Sequence, residues 1–163
     1  MDVTCSEHGA PSAEVSIRVL DPHGQATLGA SACLDRAELS QPGKPLQKER
    51  WSGAVDSVGA TTLANALAQT VYGGAVAACG MAGGGDLQSS VFPHILRGVA
   101  LIGVDSVYAP KAKREAAWTT LANHLDRQKL AAMTRAEPLS RLPELAQEIL
   151  SGGVRGRIVI EIA

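Results

Sequence analysis

The sequence is poor in aromatic residues, in cysteine and in excess charge. Aromatic side chains make up 3% of the 163 residues. The formal net charge is −1, so the chain lacks the basic excess of a nucleic-acid-binding protein. Three widely spaced cysteines, Cys5, Cys33 and Cys79, argue against a disulfide framework and favour a reducing, cytoplasmic location. We therefore expect no nucleic-acid partner.

Long hydrophobic runs are also missing. No apolar stretch reaches the roughly 18 residues that a membrane-spanning helix needs. The first residues, Met1–Cys5, lack the charged and apolar regions of a signal peptide. With 45% hydrophobic and 19% charged residues, the chain can nevertheless bury a core of one ordinary domain. We expect no membrane partner.

Apolar runs and amphipathic stretches alternate between about residues 31 and 104. The predicted strands are Ser31–Leu34, Trp51–Val58, Ala75–Cys79 and Val99–Val104. Between them we expect a helix that Thr61 or Thr62 caps and that ends at Gly73-Gly74, and a short helical piece at Pro93–Arg97. Such alternation predicts an α/β fold with a parallel sheet.

The two ends of the chain follow other patterns. Near the carboxyl end we expect two helices and a strand, Lys111–Leu125, Pro143–Leu150 and Arg157–Ile162. Near the amino end, Glu14–Leu20 alternates as a half-buried strand does. This strand could form a hairpin with Ser31–Leu34.

Two short segments follow predicted strands and are candidates for a ligand site. The glycine cluster Gly80–Gly85 either lets backbone approach a cofactor or simply connects two elements. In the segment Asp56–Gly59, Asp56 or Ser57 is better explained as a helix cap that accepts backbone N–H groups. The chain has neither a Gly-x-Gly-x-x-Gly motif nor a Walker A motif.

Other reactive residue types have simple structural explanations. Cys5 and His8 have no second pair at a zinc-site spacing, so we predict no metal site. Cys79 is expected to be a small buried residue, and His94 and His124 to be surface or hydrogen-bonded histidines. Arg155 and Arg157 would either bind an anion or lie on a solvated strand edge. No acid–base pair or catalytic triad can be assembled, so we predict no catalytic residue.

Several stretches together resemble a known family. They are Leu28–Arg36, Trp51–Gly59, Gln69–Gly80, Phe92–Val99, Leu101–Val107 and Gly156–Val159. These stretches resemble the nucleotide-binding part of acrylyl-CoA reductase-type proteins, the YhdH-like quinone oxidoreductase branch of the medium-chain dehydrogenase/reductase superfamily. The resemblance runs from about residue 26 to 163.

The resemblance implies a homodimeric, zinc-independent, NADPH-dependent reductase. Hydride would pass to the β-carbon of an α,β-unsaturated thioester such as acryloyl-CoA, or to related enones and quinones. By position in the family, Arg36 would face the adenosine end of NADPH. The nicotinamide side would be lined by Met81, Ile95 and Ser106, with help from Arg157 in the final strand. The strand Val99–Val104 would pair with its mate in the dimer.

The sequence also departs from this family. Residues 1–24 form an unassigned leader that does not resemble it. Residues 25–110 match strands three to six of a Rossmann-type sheet, and residues 111–163 form the helix–helix–strand appendage that would pack on a catalytic domain. Because the family's phosphate-binding turn and amino-terminal catalytic domain are not recognised, we expect the lone chain to have little activity. The alternatives are a non-enzymatic dimerisation module and the remnant of a truncated or frameshifted gene.

Overall fold

The computed structural model describes residues 18–20, 32–154 and 156–162. The chain divides into two compact units, Met1–Arg36 and Ala37–Ala163. Within the described residues, no helix is both long enough and apolar enough to cross a bilayer.

The first unit contains a pair of short strands. Strand β1 (Arg18–Leu20) lies parallel to β2 (Ala32–Leu34), with Arg18 opposite Ala32. The expected hairpin between Glu14–Leu20 and Ser31–Leu34 is therefore wrong, because hairpin strands run antiparallel. Residues 1–17, which include most of the unassigned leader, lie outside the described residues.

The second unit begins with a three-stranded parallel sheet. Its elements in chain order are α1 (Ala37–Ser40), β3 (Trp51–Asp56), α2 (Ala60–Ala68), β4 (Thr70–Ala78), α3 (Phe92–Arg97) and β5 (Ala100–Gly103). The strand order is β3-β4-β5, and both pairs are parallel. Parallel neighbours need a crossover connection, which α2 and α3 provide here. The predicted α/β fold with part of a Rossmann-type parallel sheet is confirmed.

A small aliphatic core lies between the helices and one face of this sheet. Leu63 and Leu67 of α2 pack with Val76 of β4 and with Val99, which precedes β5. Leu67 and Val76 have no exposed surface. Burying one such side chain is worth about 1.5–3 kcal/mol, so the helix stripe Leu63–Leu67 fixes α2 on the sheet.

Helix α2 begins and ends earlier in the chain than the sequence predicts. It ends at Ala68, and Gly73-Gly74 lies inside β4 rather than at a helix terminus. There β4 bulges, since Trp51 lies opposite Thr70 whereas Gly53 lies opposite Ala75. Neither Thr61 nor Thr62 caps the helix, because the cap position is Gly59, which has no side-chain bond to offer.

Buried Asn65 holds the segment between α1 and β3 against α2. Its amide nitrogen donates to the carbonyl oxygens of Leu39 (3.0 Å) and Gln41 (2.8 Å), and its amide oxygen accepts from Gln47 Nε2 (2.7 Å). The side chain is thus satisfied on both sides although the residue is only 4% exposed.

Arg97, at the end of α3, binds the amino end of the sheet. Its guanidinium donates to the carbonyl oxygens of Ala68 (2.9 Å), Thr70 (3.3 Å) and Gln47 (2.7 Å). Nε lies 3.1 Å from Oε1 of Glu49. One side chain therefore joins α3, β4 and the loop before β3.

The remainder of the unit contains more structure than the predicted helix–helix–strand. Its elements are α4 (Lys111–His124), α5 (Arg127–Ala132), β6 (Thr134–Pro138), a 3₁₀ turn (Leu139–Arg141), α6 (Leu142–Leu150) and β7 (Arg157–Glu161). Strands β6 and β7 are parallel, and α6 connects them with Leu145 buried. Helix α5 and strand β6 were not predicted, because the polar sequence of β6 has no apolar alternation.

Candidate functional site

The carboxyl ends of β3, β4 and β5 lie at one edge of the sheet because the strands are parallel. Three loops follow these ends, at residues 57–59, 79–91 and 104–110. In open parallel sheets, ligands bind outside the carboxyl ends of the strands. This edge is therefore the candidate site.

The first two loops are joined by backbone contacts. The N–H of Gly83 donates to the carbonyl oxygen of Val58 at 2.7 Å, and that of Ala82 donates to Ser57 at 3.3 Å. Gly59 and Gly84 form an isolated parallel bridge, and the N–H of Gly84 donates to the carbonyl oxygen of Met81. These N–H groups are used within the protein and do not form a phosphate cradle.

The close approach of these loops explains much of the glycine cluster. A Cβ added to Gly80 would lie 2.6 Å from the carbonyl oxygen of Ser57, and one added to Gly59 would lie 2.5 Å from that of Gly84. Gly59 also has φ +76°, a conformation that other residues rarely adopt. At Gly85, by contrast, an added Cβ would meet only Sδ of Met81, at 3.7 Å. Loop packing thus accounts for Gly59 and Gly80, whereas a Cβ at Gly85 would make only an ordinary contact with Met81.

Asp56 supports the turn after β3. It is 5% exposed, and its Oδ2 accepts the N–H of Gly59 at 2.8 Å. Asp56 therefore accepts a backbone N–H as predicted, but it does not cap the helix, since the cap position of α2 is Gly59. Its carboxylate fixes the turn whose carbonyl groups bind the glycine loop.

Cys79 is not buried, contrary to the prediction. Strand β4 ends at Ala78, so Cys79 begins the glycine loop and is exposed. Its N–H donates to the carbonyl oxygen of Asp56 at 2.8 Å, and its Sγ lies 3.3 Å from the same oxygen. The apolar run of the sequence continues to Cys79, one residue beyond the end of β4.

Two of the predicted cofactor residues, Met81 and Ser106, follow adjacent strands at the candidate edge. Met81 is 73% exposed, and Ser106 is exposed in the loop after β5. The sequence analysis did not single out Asp105, which shapes this loop by accepting the N–H groups of Val107 and Tyr108, both at 2.9 Å. The missed signal is an Asp two residues after β5, since Asp commonly starts a side-chain-stabilised turn.

The other predicted cofactor residues lie on α3, on β7 and in the first unit. Ile95 is 73% exposed on α3, two residues before the arginine that binds the amino end of the sheet. Arg157 begins β7, where its N–H donates to the carbonyl oxygen of Met133 and its side chain is exposed. Arg36 belongs to the first unit. Within the second unit, Met81 and Ser106 thus lie in loops at the carboxyl edge of the sheet, whereas Ile95 lies on α3 and Arg157 on β7.

The described histidines are bound to the backbone, as the sequence predicts. Nδ1 of His94 lies 2.7 Å from the carbonyl oxygen of Val99, and Nδ1 of His124 lies 2.9 Å from that of Thr120. Across residues 18–20, 32–154 and 156–162, no group of three or more His, Cys, Asp or Glu side chains has the geometry of a metal site. Cys5, His8 and Arg155 lie outside the described residues.

A small cavity of about 150 Å³ lies away from the predicted cofactor residues. It is bounded by the segment Pro42–Pro45, the first turns of α2 and the segment Gln88–Ser90. None of the five predicted cofactor residues lines it. The candidate site is therefore the carboxyl edge of the sheet, which carries Met81 and Ser106, and not this cavity.

Comparison with known proteins identifies close relatives. The chain is 47% identical over 137 residues to acrylyl-CoA reductase AcuI of Ruegeria pomeroyi, and 43% identical over 136 residues to the probable acrylyl-CoA reductase AcuI of Escherichia coli. The resemblance to acrylyl-CoA reductases is confirmed. These matches cover 83% of the chain but 42% of each relative, so the chain spans less than half the length of the reductases it matches. No protein-family profile matches the chain.

Solved structures agree with the acrylyl-CoA reductase resemblance. The YhdH oxidoreductase of Salmonella enterica, crystallised in complex with NADP, is 39% identical and superposes with a TM-score of 0.85. That match covers 91% of this chain and 47% of the YhdH chain. The chain thus has the fold of about half of the YhdH oxidoreductase chain.

Proposed function

We propose that the chain is part of an NADPH-dependent oxidoreductase that reduces α,β-unsaturated acyl thioesters such as acryloyl-CoA, or related enones and quinones. The observation that carries this proposal is the 47% identity to an acrylyl-CoA reductase over 137 residues. The structural likeness to an oxidoreductase crystallised with NADP adds support for the cofactor.

The candidate edge fits one end of NADPH better than the other. Exposed Met81 offers an apolar surface and exposed Ser106 a hydroxyl group, each in a loop at this edge. This combination suits a nicotinamide ring, which has an apolar face and a polar amide. NADPH, when bound, supplies the hydride for the β-carbon of the substrate. In this proposal Ile95 and Arg157 complete the nicotinamide side, and Arg36 binds the adenosine end.

The glycine loop offers no backbone binding site for the phosphate groups of NADPH. The N–H groups of Ala82, Gly83 and Gly84 already donate to carbonyl oxygens, and the sequence has no Gly-x-Gly-x-x-Gly motif. Anion binding by backbone depends on N–H groups that are free to point at the ligand. We therefore propose that the isolated 163-residue chain binds NADPH weakly and turns over little substrate.

A chimera tests whether this segment retains the reductase function. The 137 matched residues of the Ruegeria pomeroyi reductase would be replaced by the corresponding part of this chain, and NADPH oxidation with acryloyl-CoA would be measured. We expect a rate within about tenfold of the parent enzyme. A tenfold loss would correspond to a rise of about 1.4 kcal/mol in the activation free energy. A folded chimera with no NADPH oxidation would overturn the proposed function.

A second candidate function is a dimerisation module, which the free edge of β5 favours. All four residues of β5 are exposed, and β5 pairs only with β4 among the described strands. Phe92, Ile95 and Leu96 of the neighbouring helix α3 are exposed apolar residues. An unpaired strand edge next to apolar side chains is a template for pairing with a second copy.

Sedimentation over a range of concentrations tests this homodimer. We expect a dimer that Leu96→Lys disrupts and that Leu150→Lys, at an exposed position on α6, leaves intact. A monomer at all concentrations would exclude the dimerisation module.

A further inference from the structure

A single carboxylate folds the loop after β5 around Ser106. Oδ1 of Asp105 accepts the N–H groups of Val107 and Tyr108, each at 2.9 Å. These bonds close a turn that has Ser106 inside it. The turn follows Val104 directly, and the N–H of Val104 still donates to the last carbonyl oxygen of β4 at 2.8 Å. The turn is therefore attached to the sheet at its first residue.

Helix α4 holds the same turn from the other side. The guanidinium of Arg114 donates to the carbonyl oxygen of Ser106 at 3.3 Å. Within residues 18–20, 32–154 and 156–162, by contrast, the hydroxyl group of Ser106 makes no hydrogen bond. The protein thus fixes the backbone of Ser106 and leaves its side chain available to another molecule.

A second aspartate makes the same pair of bonds for a different reason. Oδ1 of Asp126 accepts the N–H groups of Gln128 (2.9 Å) and Lys129 (3.1 Å), which belong to the first turn of α5 and have no partner within the helix. Helix capping therefore explains Asp126. It does not explain Asp105, because α4 begins only at Lys111. The N–H groups that Asp105 binds lie in an exposed turn, where water can satisfy them.

We propose that Asp105 is a positioning residue for the cofactor, whose carboxylate holds the turn in which the Ser106 hydroxyl binds the carboxamide of nicotinamide. The inference rests on the proposed function, which places NADPH at the carboxyl edge of the sheet. A carboxamide has a carbonyl oxygen and an N–H donor, and a serine hydroxyl can pair with either. A turn that is ordered before binding loses little further freedom when the ligand arrives. Asp105 needs no contact with NADPH for this role.

The test compares two ligands by calorimetric titration of the chimeric reductase that contains the corresponding part of this chain. One ligand is NADPH, and the other is 2′-phospho-ADP-ribose, which lacks the nicotinamide ring. In Asp105→Ala, the Kd for NADPH should rise about fivefold, as expected for one lost hydrogen bond between uncharged groups. The Kd for 2′-phospho-ADP-ribose should change by less than about twofold. A general loss of structure would weaken both ligands alike.

Matched variants separate positioning from charge and from turn stability. Asp105→Asn keeps a side-chain oxygen that accepts N–H groups, so its Kd for NADPH should stay within about twofold of the unchanged value. Ser106→Ala should weaken NADPH binding as Asp105→Ala does, and the double variant should bind no more weakly than either single variant, because coupled residues are not additive. Asp126→Ala removes the equivalent bonds at α5 and should change neither Kd. Circular dichroism checks that the variants fold.

Four results would overturn the inference. They are equal weakening of both ligands by Asp105→Ala, an Asp105→Asn variant as weak as Asp105→Ala, additive losses in the double variant, and a folded unchanged chimera that does not bind NADPH. A chimera that shows the expected binding pattern but does not oxidise NADPH with acryloyl-CoA would contradict the proposed function and leave this inference standing. A chimera that reduces acryloyl-CoA but binds NADPH equally well as Asp105→Ala would do the reverse.

Discussion

Replacing Arg97 with alanine should destabilise the second unit strongly. The side chain donates to three carbonyl oxygens and lies beside Glu49, with 16% of its surface exposed. One of these carbonyl oxygens, that of Ala68, keeps a second donor in the N–H of Gln47. The variant therefore leaves two acceptors, those of Thr70 and Gln47, without their guanidinium donor.

The magnitude follows from these contacts. A hydrogen bond to a charged group is worth about 1.5–3 kcal/mol, and a buried acceptor left unsatisfied costs about 1–3 kcal/mol. The pair with Glu49 adds little, because the carboxylate is 44% exposed and such pairs contribute about 0–1 kcal/mol. Allowing for water that reaches the partly exposed site, we expect a loss of about 3 kcal/mol in the free energy of unfolding.

Urea denaturation followed by tryptophan fluorescence measures this loss. With a slope of about 1.5 kcal/mol per molar urea, the midpoint should fall by about 2 M. Arg114→Ala is the control, since Arg114 is exposed and its guanidinium donates to the carbonyl oxygen of Ser106 at the long distance of 3.3 Å. It should shift the free energy by less than about 0.5 kcal/mol. A loss below about 1 kcal/mol for Arg97→Ala would refute the reasoning.

Two further substitutions test the packing around α2. Asn65→Asp places an acceptor against the carbonyl oxygens of Leu39 and Gln41, and we expect it to lower the unfolding free energy by about 2–3 kcal/mol, with a smaller loss for the exposed Asn123→Asp. Gly59→Ala and Gly98→Ala both change glycines of positive φ, but an added Cβ meets Gly84 only at position 59. Urea denaturation should show a loss of about 1 kcal/mol at position 98 and clearly more at position 59; equal losses would show that the loop contact carries no energy.

The sheet could be predicted because its strands are continuous apolar runs separated by glycine or by amphipathic stretches. Strand β5 and helix α3 were predicted to within one or two residues for this reason. The bulge at Gly73-Gly74 was not predicted, because Val71 continues the spacing of Leu63 and Leu67 although it belongs to β4. Helix propensity and spacing are local properties, whereas the end of α2 depends on strand pairing.

The loops of the candidate edge follow the predicted strands, but the contacts between these loops were not predicted. Glycine after a strand indicates close approach, but the sequence does not say what approaches. The structure shows that at Gly59 and Gly80 it is the neighbouring loop. The exposure of Cys79 likewise depends on where β4 ends. Such facts arise from contacts between segments distant in sequence, which a residue pattern does not contain.

The most direct test of the account is an NMR titration of the isotope-labelled 163-residue chain with NADPH. We predict that backbone amides of the three loops at the carboxyl edge, around Ser57, Met81 and Ser106, shift together as NADPH is added. Those of Gly43 and Lys44, which line the cavity, should not shift. The absence of any shift at millimolar NADPH, or shifts confined to that cavity, would contradict the assignment of the sheet edge as a cofactor site.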